Sequence, residues 1–292
     1  MYYLIFIPLY LLSLLPVRVL YFFGDAIYGV LFYIIGYRKQ VVLNNLKIAF
    51  PEKSDVERYK IAKGFYHNFI DTFMETIKFI TWGEKEMKKR FEADLSNFEK
   101  AYQYNKPIHL IGMHNFNWEY VNLGLCTRLK YPFLGIYMPV GNKAFDRIIY
   151  NMRSKLGTIL IPATDFKNNY LKYASTLHVL GTAADQSPGN PKSAYWTNFF
   201  GRPTAFVVGP EKGAKVNDAV ILFAHFYKTK RGYYKIDTEF ITAEPNSLPQ
   251  GEITALYAKY IEKCLRQHPS NYLWSHRRWK HEWKDEYGKV IG

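Results

Sequence analysis

Ile108-His109-Leu110-Ile111-Gly112-Met113-His114-Asn115-Phe116-Asn117-Trp118-Glu119 is the stretch on which the fold class turns. Ile108 to Ile111 reads as a short buried strand, Gly112 to Glu119 as a polar-tipped loop, and Trp118 to Arg128 as a helix. Working outward, the same unit recurs. Strands are expected at Phe133 to Tyr137, Thr158 to Ile161 and His178 to Ala183, with helices at Lys143 to Lys155 and Phe166 to Ser175 between them. Repeated strand–helix–strand spacing predicts an α/β fold, a mixed, mostly parallel sheet flanked by helices. Ala219 to Tyr227 and Tyr233 to Phe240 read as an antiparallel hairpin, and Glu252 to Arg266 as a covering helix. Upstream, Arg38 to Phe50 is amphipathic and stops at Pro51. Ser54-Asp55-Val56-Glu57 is a capping box opening a long helix to about Thr81, and Ser96-Asn97-Phe98-Glu99 is a second box opening a short one. No fixed-period repeat and no Pro-, Gly- or Ser-rich linker divides the chain.

The first 36 residues have a different character. Between Met1 and Gly36 only Arg18 and Asp25 are charged. The uncharged run Met1 to Val17 contains Pro8 and Pro16 and would reach roughly 25 Å as a helix, short of the ~30 Å hydrocarbon core. Two helices meeting at Pro16, Tyr2 to Leu15 and Val17 to Ile35, can lie in or dip into one leaflet, with Arg18 reaching the headgroups. The competing reading is a buried hydrophobic hairpin of a soluble core. No basic n-region and no A-x-A site mark a secretory signal. Arg38, Lys39 and Lys47 follow at once, so the positive-inside tendency expects the rest of the chain in the cytoplasm. The expected organisation is therefore residues 1-36 as membrane-embedded or anchoring helices and 37-292 as one catalytic domain.

Composition bounds the partners. The 292 residues carry 39 basic and 25 acidic side chains, a formal charge of +14, with 25 Tyr, 21 Phe and 6 Trp. At 48% apolar the chain folds rather than staying disordered. Cys126 and Cys264 alone build neither a disulfide framework nor a thiolate zinc site, and no H-E-x-x-H or comparable cluster suggests a metal. Positive charge with many aromatics suits nucleic acid, an anionic membrane or an acidic protein. Nucleic acid is disfavoured, since no RNP, helix-turn-helix or zinc-finger pattern accompanies the charge.

Reactive groups in open α/β sheets gather at the carboxyl ends of strands. A neutral His114 in such a loop can take a proton from an attacking hydroxyl, and a carboxylate on its other nitrogen would fix the tautomer. His114 and Glu119 could not meet on one helix face, but they can if His114 lies in the loop and Glu119 on the first helical turn. The H-x4-[DE] spacing alone is weak, because His281 and Glu286 share it in a charged tail. There is no G-x-S-x-G elbow and neither Cys has a sequence-adjacent His, so direct transfer is simpler than a covalent intermediate. Oxyanion donors are expected from backbone N–H groups near Asn115 to Asn117 or from Arg153.

Several motifs in order carry a family resemblance. Phe50-Pro51-Glu52-Lys53-Ser54 follows Asn44-Asn45-Leu46; then come His114 with Asn117-Trp118-Glu119, Asp185-Gln186, Phe199-Phe200-Gly201-Arg202-Pro203, and Trp274-Ser275-His276-Arg277-Arg278-Trp279-Lys280. Together they resemble the bacterial lipid A biosynthesis late acyltransferases, the lauroyl/myristoyl transferases, with phosphatidylinositol mannoside acyltransferase a more distant relative. The resemblance implies an enzyme of lipopolysaccharide assembly at the cytoplasmic face of the bacterial inner membrane. Its donor would be an acyl carrier protein or coenzyme A thioester, used as co-substrate with no further cofactor, and its acceptor a hydroxyl of a lipid. It also implies that His114 and Glu119 are the catalytic dyad, and it matches Arg153 and Gly157 to an Arg and Gly of the family. The Pro- and Gly-rich stretch Ser187 to Ala194 departs from the pattern, which leaves the acceptor open: a lipid A-type glycolipid, another lysolipid or an amino-acid lipid.

The remaining motifs divide between site and scaffold. Asn117, Arg153, Asp185, Gln186, Phe200 and Arg202 are candidate substrate-binding residues. Phe199-Phe200 would wall an acyl groove, against the plainer reading as core, and Arg202 would meet a phosphate of the acceptor or of the phosphopantetheine arm. Asp185 is as readily a turn residue. Arg277, Arg278, Lys280 and Lys284 among Trp274, Trp279 and Trp283 suit an anionic headgroup layer, against an exposed tail with no role. A non-catalytic membrane scaffold is disfavoured by the His114/Glu119 pair.

Overall fold

A computed structural model describes all 292 residues, Met1–Gly292. Helices α1 (Tyr2–Leu14) and α2 (Val17–Gly29, extended by a π-helical turn to Ile35) meet at Pro16 and are followed by α3 (Lys39–Ala49), α4 (Asp55–Lys78) and α5 (Glu84–Arg90). Next come β1 (Phe91–Ala93), α6 (Ser96–Tyr102), β2 (Ile108–Gly112), α7 (Trp118–Leu125), β3 (Phe133–Tyr137), α8 (Lys143–Ser154), β4 (Ile159–Pro162), α9 (Phe166–Tyr170) and β5 (Val179–Ala183). The chain ends with β6 (Tyr195–Phe199), β7 (Arg202–Phe206), α10 (Gly209–Val216), β8 (Val220–Lys230), β9 (Tyr233–Thr242), α11 (Glu252–Gln267) and β10 (Val290–Ile291).

Seven strands form one sheet in the order β1-β9-β8-β2-β5-β3-β4. The strands β8, β2, β5, β3 and β4 run parallel, and β8 with β9 is the expected antiparallel hairpin. Alternation divides the core between the faces. Leu110, Leu222 and Ala224 pack with Tyr120 and Leu123 of α7, whereas Ile111, Ile221 and Phe223 pack with Tyr257 and Ile261 of α11. Central parallel strands are covered on both sides, which is why β2 is buried along its whole length.

Helix α4 begins at the expected capping box: the Ser54 hydroxyl accepts from the Glu57 N–H at 3.3 Å and the Ser54 N–H donates to Glu57 Oε2 at 2.8 Å. The second box does not form. Leu95 takes the N-cap of α6, and the Ser96 N–H donates to Asp94 Oδ1 at 2.9 Å, so an Asp two residues upstream, rather than the serine hydroxyl, makes the side-chain contact at this helix start. The hairpin β6-β7 and its small sheet with β10 were not anticipated. Its two-residue turn places both Phe200 (φ 52°) and Gly201 (φ 71°) in the left-handed region. That turn ordinarily advertises itself with Asn or Asp rather than Phe.

The N-terminal helices are two-sided. Leu20, Tyr21, Gly24 and Tyr28 of α2, with Phe32 beyond it, are buried, while Phe22, Phe23, Ile27, Val30 and Ile34 are exposed. At the Pro16 break, the carbonyls that α1 cannot use are taken up by α4 and the turn after it. Lys78 Nζ donates to Leu15 O at 2.8 Å and Thr81 Oγ1 to Ser13 O at 2.9 Å. The stretch Val17–Ile35 is long and apolar enough to cross a membrane.

Candidate active site

The strand pair β2 and β5 builds the centre. Gly112 pairs with Ala183, and two residues beyond each, His114 and Asp185 meet at the carboxyl end of the sheet. His114 Nδ1 lies 2.7 Å from Asp185 Oδ1, and the same oxygen accepts the His114 backbone N–H at 3.1 Å. An acceptor at Nδ1 assigns the proton there and leaves the Nε2 lone pair for a substrate. Asp185 is 1% exposed and the His114 side chain 29%. Burial alone would lower the His114 pKa, but the adjacent Asp185 carboxylate outweighs it and holds the imidazole above its ordinary value. Burial likewise pushes Asp185 upward, and the imidazole and N–H contacts overcome it, so the carboxyl ends below its usual range.

Glu119 does not meet His114. It sits on the first turn of α7, is 3% exposed, and is held by Arg153 from α8 in a forked ion pair, Nε to Oε1 at 2.9 Å and Nη2 to Oε1 at 2.5 Å, with Trp118 Nε1 donating at 3.1 Å. A guanidinium fork matches a carboxylate in a way an imidazole cannot, and the imidazole's Nδ1–H already donates to Asp185. The expected His114–Glu119 contact is thus replaced by two pairs, His114–Asp185 and Glu119–Arg153, on one cavity.

That cavity, about 560 Å³, lies between the sheet and helices α7 and α8. Its floor is apolar, from Leu110, Phe133, Leu160, Ala224 and Phe226, with Gly135 and Gly181 leaving room between them. A Cβ on Gly181 would stand 2.7 Å from the Phe133 ring. His114, Glu119, Asn122, Arg153 and Thr182 are among its polar lining, and the exposed apolar side chains of Ile136, Met138, Val140 and Phe145 form its rim.

The loop is fixed from behind. The Asn115 N–H bonds to Met113 O and the Phe116 N–H to Asn271 O, both at 2.8 Å, while Leu273 N–H donates to His114 O at 3.0 Å. The N–H groups of Asn115 and Phe116 are therefore already engaged; of the donors anticipated from sequence, Arg153 keeps an unengaged nitrogen, Nη1, in the cavity wall. Asn117 is also not a substrate ligand. It is fully buried, its Oδ1 caps α7 by accepting from the Glu119 N–H at 3.1 Å, and its Nδ2 donates to Glu75 Oε2 at 3.1 Å. Glu75, fully buried in α4, also accepts from Tyr21 at 2.8 Å and Tyr234 at 2.9 Å. Burial raises its pKa, against an opposing pull from Lys228. Glu75 is not singled out by the sequence reading, although a Glu four residues after Asp71 puts a second acid on the helix side that buries Ile61, Phe65 and Ile70.

The other candidates lie elsewhere. Gln186 occupies a bend past Asp185 and lines neither of the two main cavities. Phe200 is 8% exposed, packs edge-on against Phe50 and Trp279 in the core and lines neither main cavity, and Arg202 is exposed at the start of β7, also away from both. The C-terminal basic-aromatic stretch is split, with Arg277, Lys280 and Lys284 exposed and its first Trp and second Arg in the core. Trp274 and Arg278 are 0% and 1% exposed, and Arg278 donates to Ala205 O at 2.8 Å over the Phe206 ring. Large rings and a guanidinium stem gain more by burial than at a wet surface, and this segment supplies the partners that pin the loop.

Residues 1–281 match the family described as bacterial lipid A biosynthesis acyltransferase. Among curated relatives, the chain is similar to the lipid A biosynthesis palmitoleoyltransferase of Escherichia coli K12, 26% identical over 91% of this chain and 86% of the relative. It is also similar to the lauroyltransferase of the same organism, 25% identical over 93% and 89%. A lipid A biosynthesis acyltransferase of Haemophilus influenzae is 24% identical over 83% and 78%.

Proposed function

The chain belongs to the bacterial lipid A biosynthesis acyltransferases, and from that premise we propose a membrane-associated enzyme that moves a fatty acyl chain from a thioester to a hydroxyl of a lipid A-type glycolipid precursor. The thioester is carried by acyl carrier protein or coenzyme A. The observation that carries this reading is the His114 imidazole, its proton held at Nδ1 by Asp185, at the mouth of a deep apolar cavity.

In the proposed reaction the acyl chain fills the cavity and brings its thioester carbonyl to His114. His114 Nε2 takes the proton of the acceptor hydroxyl, the oxygen bonds to the carbonyl carbon, and charge develops on the carbonyl oxygen. Arg153 Nη1 is the donor for that oxyanion, and Glu119 holds the guanidinium in place. The tetrahedral intermediate then collapses, the C–S bond breaks, and the imidazolium returns its proton to the leaving thiolate. Asp185 keeps the imidazole oriented and favours the imidazolium during both transfers.

The apolar outer face of α2, followed by Arg38, Lys39 and Lys47, supports attachment at the cytoplasmic face of the bacterial inner membrane. His114→Ala is expected to lower transfer by about 10²- to 10⁴-fold, the usual worth of a general base, with vesicle binding intact. Near-normal turnover by that variant in a radiolabelled acyl-transfer assay would overturn the scheme.

A further inference from the structure

His114 stands where the first cavity meets a second, of about 380 Å³, on the other face of the sheet. Leu110 and Gly181 face the first, while His109 and Leu180, one residue away on the same strands, face the second. With space on both sides, the imidazole owes its position to hydrogen bonds more than to packing. Its partner is in a similar situation. The last main-chain bond between β5 and β2 runs from the Ala184 N–H to Gly112 O at 3.4 Å, and from Asp185 to Gly189 the chain makes no backbone–backbone hydrogen bond. The ties that hold this loop against the His114 loop come from another segment.

Residues 271–281, which include the Trp274 to Lys280 motif, supply them. The Ser187 N–H donates to His276 Nε2 at 3.0 Å, the Ser187 hydroxyl donates to Arg278 O at 2.6 Å, and His281 Nε2 lies 3.0 Å from Pro188 O. The same segment holds the His114 loop through the Leu273 N–H and Asn271 O. Both halves of the catalytic pair are thus referenced to one strip of chain. That strip is itself clamped by α3. Asn45, 5% exposed, donates through Nδ2 to both Trp274 O and His276 O at 2.7 Å, and Arg38 Nη1 donates to Ser275 O at 3.0 Å. The motifs around Asn45 and His276, far apart in sequence, meet behind the reaction centre.

The tie at His276 has a chemical condition, since a ring nitrogen accepts a hydrogen bond only when it is unprotonated. Burial, aided by Arg278 and opposed by Asp185, pushes His276 down to about 4, so the ring is neutral and its acceptor intact over the range in which His114 titrates. The other groups facing the pair keep their charge there. Burial holds Tyr257 and Tyr272 well above their ordinary value, Arg278 is a buried guanidinium, Glu119 is locked to Arg153, and the remaining cation, Lys280, is exposed. A neutral replacement of His276 therefore alters no charge near His114. It reaches the imidazole only by moving Asp185.

Resting on the transfer reading above, we propose that His276 is a positioning residue: by accepting the Ser187 N–H it keeps the Asp185 carboxylate on the His114 imidazole. The test follows kcat, donor and acceptor KM, and the pH dependence of kcat/KM for the full-length wild type, His276→Leu and His276→Gln in the radiolabelled acyl-transfer assay. Leu fills similar space with no acceptor, whereas Gln Oε1 reaches about as far as Nε2 and accepts. His276→Leu is expected to lower kcat roughly tenfold with both KM values within about twofold, the signature of a misplaced catalytic group rather than a lost substrate contact. Its acid limb should also move to lower pH, because a displaced carboxylate no longer holds up the His114 pKa. His276→Gln should restore both. Losing one hydrogen bond at a half-buried site should shift the thermal midpoint by no more than about 2–4 °C, and His276→Ala replaces Leu if that variant misfolds. Unchanged kcat in His276→Leu, an acid limb that stays in place while kcat falls, or a Gln variant no better than Leu would each overturn the brace and leave the reaction standing. A wild type that transfers no acyl group from a thioester would overturn the reaction, and the brace with it.

Discussion

His114 must be neutral to act as a base, and Asp185 holds its pKa above the ordinary value. Activity therefore falls as pH drops through a value above 6.5 rather than at it. Asp185→Asn removes the charge that favours the imidazolium, so the acid limb of the kcat/KM profile should move to lower pH while the maximum falls; a limb that stays in place would separate the two residues functionally. Glu75 poses a different problem, a carboxyl with three neutral donors and no cation in contact. Glu75→Ala orphans Tyr21, Tyr234 and Asn117 at once and should cost about 3–5 kcal/mol in thermal unfolding. Glu75→Gln keeps an acceptor and the shape and should cost much less. At this scale the sequence pointed to His114, Glu119, Arg153 and Asp185 but not to their pairing. Which carboxylate meets the imidazole depends on strand register: Gly112 opposite Ala183 carries Asp185 to His114, and no spacing along the chain encodes that.

The elements were largely legible because their periodicities are local. The run from Ile108 to Ile111 and the apolar spacing after Trp118 announced β2 and α7, and Ser54 with Glu57 announced the start of α4. The hairpin β6-β7 was not, since its left-handed turn is held by tertiary packing of the Phe200 ring rather than by turn-forming residues. Hairpin β8-β9 has a further role: Arg231 in its turn donates to Asp71 of α4 at 2.7 Å and to Asp25 of α2 at 2.6 Å. Arg231→Ala should leave the fold intact, because Lys228 still pairs with Asp71 at 2.7 Å. It should release α2, seen as faster proteolysis within residues 1-36, with a stability loss of about 1–2 kcal/mol. Gly135 lines the cavity proposed to take the acyl chain, and a Cβ there would make only ordinary contacts, the nearest at 3.4 Å to Thr158. Gly135→Leu should therefore shift donor preference toward shorter chains in a competition assay.

Over the whole molecule, apolar surface is concentrated on the outer side of α1 and α2, and the cavity rim lies beside α8, where Arg147 stands over the Tyr2 ring at 4.7 Å. Replacing Phe22, Phe23 and Ile34 with Ser should weaken partition into anionic vesicles by more than tenfold, at roughly 1.5–3 kcal/mol for each side chain that embeds, without changing the thermal midpoint of the folded core. From sequence, two membrane-facing ends are expected, the apolar N-terminal helices and the basic, aromatic C-terminal stretch, and only the N-terminal end exposes a large apolar face. Trp274 and Arg278 turn inward while Arg277, Lys280 and Lys284 stay exposed, and the neighbouring Asn271 and Leu273 supply partners for the backbone of the His114 loop. From the sequence alone came the α/β class, the apolar N-terminal helices, the helix caps and the polar residues of the centre, since each depends on neighbours a few positions apart. The tertiary structure alone decided which carboxylate serves the imidazole, that Asn117 and Phe200 are scaffold, and that two cavities converge on His114 from opposite faces of the sheet. Those outcomes depend on pairing between strands and on burial among distant segments, where the energy of a contact is set by groups tens to hundreds of residues away.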